Sequence, residues 1–107
     1  MSDLTRLSPD EYTALQEAGG PRYILLLFVS GVLENSVNAI KNINRICKQH
    51  LKDNYALQIV DIYQRPDLAI SEQIIALPVL IIKYPLPERR FIGDLSDVEK
   101  ILEIFNA

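Results

Sequence analysis

The sequence has too few thiol and imidazole groups for a cross-linked or metal-stabilised fold. It contains one cysteine, Cys47, and one histidine, His50. A single cysteine cannot form an internal disulfide, and this pair supplies too few ligands for a structural zinc site. We therefore expect no structural metal and no bound cofactor.

Long apolar runs and an excess of positive charge are also missing. The longest uncharged apolar run, Tyr23–Val29, is about a third of the length of a membrane-spanning helix. Asp3 and Arg6 interrupt the N-terminus where a signal peptide would lie. The net charge is -3, with 11 basic and 14 acidic side chains, so the chain lacks the basic field that holds nucleic acid. We expect a cytoplasmic protein that binds neither membrane nor nucleic acid.

What the sequence does contain is typical of one globular domain. Of its 107 residues, 49% are hydrophobic and 23% are charged. The pattern divides the chain into an N-terminal extension with a short helix, residues 1–21, and a domain, residues 22–107.

The extension carries its own helix signals. Ser8 and Glu11 have the spacing of a capping box, and Gly19-Gly20-Pro21 ends the helix. Tyr12 and Leu15 are too few apolar positions to hold a core. We expect the extension to dock on the domain or on a partner, or to remain a loosely held tail.

Apolar periodicity predicts the order βαβαββα for the domain. The predicted strands are residues 23–29, 55–62, 79–84 and 90–92, with the first two parallel and the last two antiparallel. Three helices are predicted. The first is capped by Asn35 or Ser36 and has core positions Val37, Ile40, Ile43, Ile46, Cys47 and Leu51. The second starts at Pro66 and runs through Ile74 and Ile75, and the third starts at a Ser96–Glu99 capping box. This order is that of the thioredoxin fold.

The predicted fold raises an enzyme hypothesis that the residues do not favour. Thioredoxin-like oxidoreductases carry a Cys-x-x-Cys pair between the first strand and the first helix. The corresponding residues 30–36 contain no thiol, and neither the Ser30 nor the Ser36 hydroxyl has a histidine base nearby in sequence. Cys47 falls on the apolar side of the predicted helix, as a buried structural cysteine does. We assign no catalytic residue.

Several motifs, in order, carry a resemblance to a known family. They are the run from Tyr23 to Gly31, Asn35-Ser36-Val37, Tyr55-Ala56-Leu57 with Asp61, Pro66, Leu77-Pro78, Pro85-Leu86-Pro87, Arg89-Arg90 and Ile92-Gly93-Asp94-Leu95-Ser96. Together they resemble the KaiB circadian clock proteins over about residues 22–102.

The resemblance implies a non-enzymatic protein that binds KaiC, a ring-shaped ATPase. It also implies two folds: a self-associated state, a homodimer or homotetramer, and a monomeric thioredoxin-like state that binds KaiC. Only the C-terminal half rearranges between them, and such a switch requires two packings within a few kcal/mol. We expect self-association, through candidates Ile81, Ile82, Tyr84 and Phe91, to favour the first state at rest.

The resemblance also assigns site residues by position. The partner-facing set is Ala56, Gln58, Pro66, Asp67, Gln73, Arg89 and Arg90, in which the two arginines are candidates to clamp an anion or an acidic partner. The fold-switch set is Pro78, Pro85, Pro87, Gly93, Asp94 and Ile104.

The sequence departs from the clock members at several positions. Gln58 and Gln73 replace lysines, Leu86 replaces the middle of three prolines, and Ile104 replaces a glycine. The extension is additional and the acidic tail of the family is missing. These departures put binding to KaiA in doubt. They suggest either a divergent paralogue or a KaiB from an organism without a full clock, in which a role in stress adaptation with a KaiC homologue is expected. The alternative is a thioredoxin-like sensor or adaptor domain resembling that of the SasA histidine kinase, and a thioredoxin-fold redox enzyme is less favoured.

Overall fold

The structure is a computed structural model that describes residues 3–31 and 33–105. In chain order the elements are a 3-10 turn (Leu4–Arg6), α1 (Pro9–Glu17), β1 (Tyr23–Val29), α2 (Glu34–Ile46, continued by a π-helical turn at Cys47–Leu51), β2 (Tyr55–Asp61), α3 (Pro66–Ser71), β3 (Val79–Tyr84), β4 (Arg89–Ile92) and α4 (Val98–Phe105). From β1 onward this is the predicted order. Within the described ranges, no helix is long and apolar enough to cross a membrane.

The four strands form one sheet in the order β2-β1-β3-β4. β2 runs parallel to β1, with Tyr23 opposite Tyr55, and β3 runs antiparallel to β1. β4 pairs antiparallel with β3 across a short loop. Both predicted strand pairings are confirmed, and β2 and β4 are the edges of the sheet.

β1 lies at the centre of the sheet and is buried along its whole length. Its side chains alternate between two apolar clusters, as successive residues of a strand must. Leu25 and Leu27 pack in a cluster with residues of α2 and α4, whereas Leu26 and Phe28 pack in a second cluster with residues of α3 and the N-terminal segment. The continuous apolar run in the sequence therefore reflects cover on both faces.

The N-terminal segment, the described residues 3–21 of the extension, docks on the face of the sheet that carries Leu26 and Phe28. Its predicted capping box is present, because Ser8 Oγ accepts from the Glu11 backbone N–H and Glu11 Oε1 accepts from the Ser8 N–H. Tyr12 and Leu4 are buried in the same cluster as Phe28. Leu4, in the turn before α1, also buries apolar area, so the segment has more apolar contacts than the two residues Tyr12 and Leu15 on which the prediction was based.

The start of α2 differs from the prediction. The helix begins at Glu34 after Leu33, and no side chain caps it. Ser36 is buried instead, and its Oγ accepts from the Ser30 backbone N–H at 3.1 Å. This bond rotates the first turn so that Val37, predicted in the core, is 41% exposed. Farther along the helix, Ile43 is buried as predicted.

The other two helices are shorter than predicted. α3 ends at Ser71 because Gln73 has a φ of 55° and the Ile74 N–H turns back to the Ala69 carbonyl, which leaves Ile75 in solvent. α4 begins at Val98, so Ser96 is not its N-cap as the capping box required. The Ser96 N–H donates to Asp94 Oδ1 in a local turn instead.

Candidate partner-binding surface

Four of the predicted partner-facing residues lie on one side of the sheet. Ala56 and Gln58 are alternate residues of β2, so their side chains point to the same face. Ala56 packs against the cluster that contains Leu68 of α3. Pro66 and Asp67 begin α3 and are exposed. The fold therefore gathers these four residues at the β2 edge and the start of α3.

Arg90 joins this surface from the opposite edge of the sheet. Its Nη1 donates to the Glu72 carbonyl at 2.8 Å, next to the predicted residue Gln73. Arg89, by contrast, points to the other face, because adjacent strand residues alternate. The two side chains therefore do not share a face in this arrangement, and the prediction that they clamp an anion or an acidic partner stays a prediction. Arg90 Nη2 is also engaged by Glu88 Oε2 at 3.3 Å.

Four charged side chains link the end of α3 to the β3–β4 hairpin. Lys83 Nζ lies 2.8 Å from Glu72 Oε1 and 2.9 Å from Glu88 Oε1. Arg90 lies 3.3 Å from a carboxylate oxygen of each glutamate. Burial raises the pKa of Glu88, but its bonds from Lys83 and Arg90 outweigh burial and hold the pKa below its usual value. This network fixes Arg90 beside α3.

Three large, exposed apolar side chains lie on or next to α3. The sequence did not predict them as site residues. Tyr63 is 74% exposed, Ile70 81% and Ile75 92%. A single exposed apolar residue is ordinary, but aromatic and aliphatic side chains beside polar groups are what partner proteins use as anchors. The sequence pattern predicts that the helix runs through Ile75, but α3 ends at Ser71, so Ile75 lies outside the helix and is exposed.

The N-terminal segment reaches into the same surface. The Gln58 amide accepts from the Leu4 N–H at 3.0 Å and donates to Asp3 Oδ1 at 3.1 Å. Arg65 Nη1, at the start of α3, lies 3.2 Å from Asp3 Oδ2. Hydrogen bonds from Thr5, with smaller contributions from Gln58 and Arg65, hold the pKa of Asp3 well below its usual range. Asp3 is therefore ionised at neutral pH.

The region that carries the catalytic cysteines of thioredoxin-like enzymes offers no accessible nucleophile among the described residues. Ser30 and Ser36 are both buried. Ser36 Oγ is bonded to the Ser30 backbone, and Ser30 Oγ has no hydrogen-bond partner within the described ranges. The same ranges contain no group of histidine, cysteine and acidic side chains that could hold a metal ion.

We expect the single thiol to be inert in the folded protein. Cys47 is fully buried, as predicted, and burial raises its pKa to about 12. Only the thiolate reacts rapidly with disulfides. Titration with a coloured disulfide reagent should show a slow reaction at pH 8 without denaturant and a reaction within seconds in guanidinium. Rapid labelling of the native chain would contradict this, and the Cys47→Ser variant provides the blank.

The predicted fold-switch residues lie along the C-terminal half. The peptide bonds before Pro78, Pro85 and Pro87 are cis. The Gly93 N–H donates to the Pro78 carbonyl at 2.9 Å, and the Asp94 carbonyl accepts from Asn42 Nδ2 at 2.7 Å. Ile104 packs beside the α2–α4 cluster. The Gly93 and Asp94 hydrogen bonds and the packing of Ile104 are contacts of the thioredoxin-like arrangement, and a role of the six residues in rearrangement stays a prediction.

Comparisons with known proteins agree with the fold and identify related sequences. A family model described as the KaiB domain matches residues 26–106. The chain is 46% identical to the circadian clock oscillator protein KaiB of Synechococcus elongatus over 80 residues, which are 75% of this chain and 78% of that protein.

Two solved structures show the same fold at low sequence identity. The solution structure of the N-terminal domain of Synechococcus elongatus SasA superposes with a TM-score of 0.62 at 22% identity, over 75% of this chain and 76% of that domain. Chloroplastic thioredoxin z superposes with a TM-score of 0.67 at 16% identity, over 91% and 90% of the two chains. The predicted thioredoxin-like fold is confirmed.

Proposed function

The chain belongs to the KaiB family, and from this premise we propose that it is a non-enzymatic protein that docks on a KaiC-type ring ATPase and so modulates circadian or stress-related signalling. The docking surface is the side of the sheet that carries α3. We define it by Ala56, Gln58, Pro66 and Asp67 together with the exposed side chains Tyr63, Ile70 and Ile75.

The observation that supports this surface is the exposure of large apolar groups around α3. Tyr63 precedes α3, Ile70 lies on it and Ile75 follows it, and α3 also carries the exposed, charged Asp67. Apolar anchors with a polar rim are typical of protein interfaces. Binding without catalysis is consistent with the buried hydroxyls of Ser30 and Ser36 at the position of the thioredoxin active site, and with the burial of the Cys47 thiol at the far end of α2.

A sensor or adaptor domain like that of SasA is the second candidate. The superposition on the SasA N-terminal domain favours it. The identity of 22% to that domain is less than half of the 46% to KaiB, so we rank the KaiB role first. We carry over no binding to KaiA.

Self-association, as a homodimer or homotetramer, remains part of the proposal. Of the four candidate residues, Ile81 and Ile82 are fully buried in the present arrangement, whereas Tyr84 and Phe91 are half-buried. They do not offer a continuous apolar surface here. Self-association through them therefore requires the alternative arrangement of the C-terminal half.

We expect Ile70→Glu to weaken binding to KaiC at least about tenfold, because a charge replaces an apolar anchor at the centre of the surface. The measurement is size-exclusion chromatography with light scattering, followed by titration, using Synechococcus elongatus KaiC with ATP. The run without KaiC gives the oligomeric state of the chain alone.

Val37→Glu is the matched control. Val37 is an exposed apolar residue on α2, on the other side of the sheet, so its substitution should leave binding unchanged. Absence of a complex with the parent chain at high micromolar concentration would contradict the proposed function. Equal weakening by both substitutions would move the docking surface away from α3.

A further inference from the structure

The strongest unexplained feature is the set of hydrogen bonds between the N-terminal segment and β2. Gln58 is a half-buried residue on an edge strand, and its amide oxygen and nitrogen are both bonded, to the Leu4 N–H and to Asp3 Oδ1. Arg65, which precedes α3, is shared between Asp3 and Asp67. The segment therefore uses the polar groups that a partner docking on this surface would need.

Apolar contacts anchor the segment in place. Leu4 is 5% exposed and Tyr12 is 3% exposed, and the Tyr12 hydroxyl donates to the Leu4 carbonyl at 2.8 Å. Burial raises the pKa of Tyr12 to about 12, so this hydroxyl stays protonated and remains a donor at neutral pH. Farther along α1, the side chains of Gln16 and Tyr84 are hydrogen-bonded. The segment is thus a defined intramolecular ligand of the sheet face.

We propose that residues 3–8 act as an autoinhibitory cover on the docking surface, and that KaiC-type partners bind only after these residues leave β2 and α3. This inference rests on the proposed function, since it concerns access to the same surface. The matched family segment begins at residue 26, so the cover lies outside the part of the chain that the family model describes.

A partner that hydrogen-bonds to Gln58 has to compete with the N-terminal segment, because the segment already occupies the Gln58 amide. A glutamine amide offers one oxygen and one NH₂ group, and here the segment engages both. A partner that bonds Gln58 must compete with Asp3 and the Leu4 N–H. The apparent dissociation constant then exceeds the intrinsic one by the reciprocal of the fraction of molecules with an open cover.

The charged contact that closes the cover is easily released. The side chains of Asp3 and Arg65 are 29% and 30% exposed. An ion pair in this environment contributes modestly to stability and is screened by salt. Leu4 contributes the apolar part of the closure. We therefore expect an equilibrium between covered and open forms rather than a permanently closed surface.

The test compares Asp3→Ala with Asp10→Ala and with a chain that lacks residues 1–8. Asp3→Ala removes the bonds to Thr5, Gln58 and Arg65, whereas Asp10 lies exposed in the first turn of α1 and serves as the matched control. Hydrogen–deuterium exchange of residues 4–8 and 55–67 reports opening. Titration with Synechococcus elongatus KaiC and ATP reports affinity.

We expect faster exchange in both regions for Asp3→Ala and binding that tightens about three- to tenfold, and a larger gain for the shortened chain. Asp10→Ala should match the parent in both measurements. Unchanged or weaker binding by the shortened chain, in which no cover remains, would overturn the cover. If the parent and every variant fail to bind KaiC, the proposed function fails instead, and the cover falls with it.

Discussion

Replacing Phe28 with alanine is expected to lower the free energy of unfolding by about 4 kcal/mol. Phe28 is fully buried near the C-terminal end of β1, the central strand, opposite Val60 on one side and Val79 on the other. Truncation removes the whole ring from the cluster under α3 and leaves a cavity that neighbours on a four-stranded sheet cannot close. Small domains have a total stability of about 5–15 kcal/mol, so the variant should be close to unfolding at 37 °C.

The measurement is urea unfolding followed by circular dichroism. Ile59→Ala is the control on β2, because Ile59 lies on the edge strand and is 40% exposed, so we expect it to cost about 1 kcal/mol or less. A loss below about 1 kcal/mol for Phe28→Ala would mean that β1 is not the centre of the core. It would also contradict the sheet order.

The second large effect is expected from Glu72→Gln, at about 2 kcal/mol of unfolding free energy. Glu72 accepts from both Lys83 and Arg90, and the side chains of Glu72 and Lys83 are only 15% and 13% exposed. The neutral amide leaves two partly buried cations with Glu88 as their remaining counter-charge. A partly buried network of this kind contributes more than isolated surface pairs do.

Glu103→Gln is the matched control, since Glu103 is exposed on α4. We expect it to change stability by less than about 0.5 kcal/mol. Equal losses in the two variants would show that the network does not stabilise the hairpin. An increase in self-associated protein for Glu72→Gln alone, measured by light scattering, would link the network to the arrangement of the C-terminal half.

Acid should weaken the same network in the parent chain. The pKa of Glu88 is lowered in the folded state, so its contribution is fully present above the unfolded pKa, near 4.5, and is lost as pH falls through the lowered value. Urea midpoints of the parent should therefore be steady from pH 7 to about pH 5 and fall below it.

Most residues of the candidate surface were predictable from the sequence, but the hydrogen bonds and ion pairs among them were not. Ala56, Gln58, Pro66 and Asp67 are assigned by the family resemblance, and the first two share a face because they are alternate residues of β2. Arg90 reaches α3 through Glu72, which the sequence did not indicate. The exposure of Ile75 depends on the backbone turn at Gln73, where a non-glycine residue adopts positive φ. Local periodicity does not predict such a turn.

The sequence by itself determined the central strand, the capped α1, the strand pairings and the family, because these depend on runs and spacings within short stretches of chain. Only the tertiary structure decided which side chains are free. Gln58 is bonded to a backbone group 54 residues away, and Ser36 turns into the core and rotates Val37 outward. Such contacts join residues that are distant in sequence or compete for one partner. A hydrophobic pattern records burial preference but not which of several polar partners wins a given hydrogen bond.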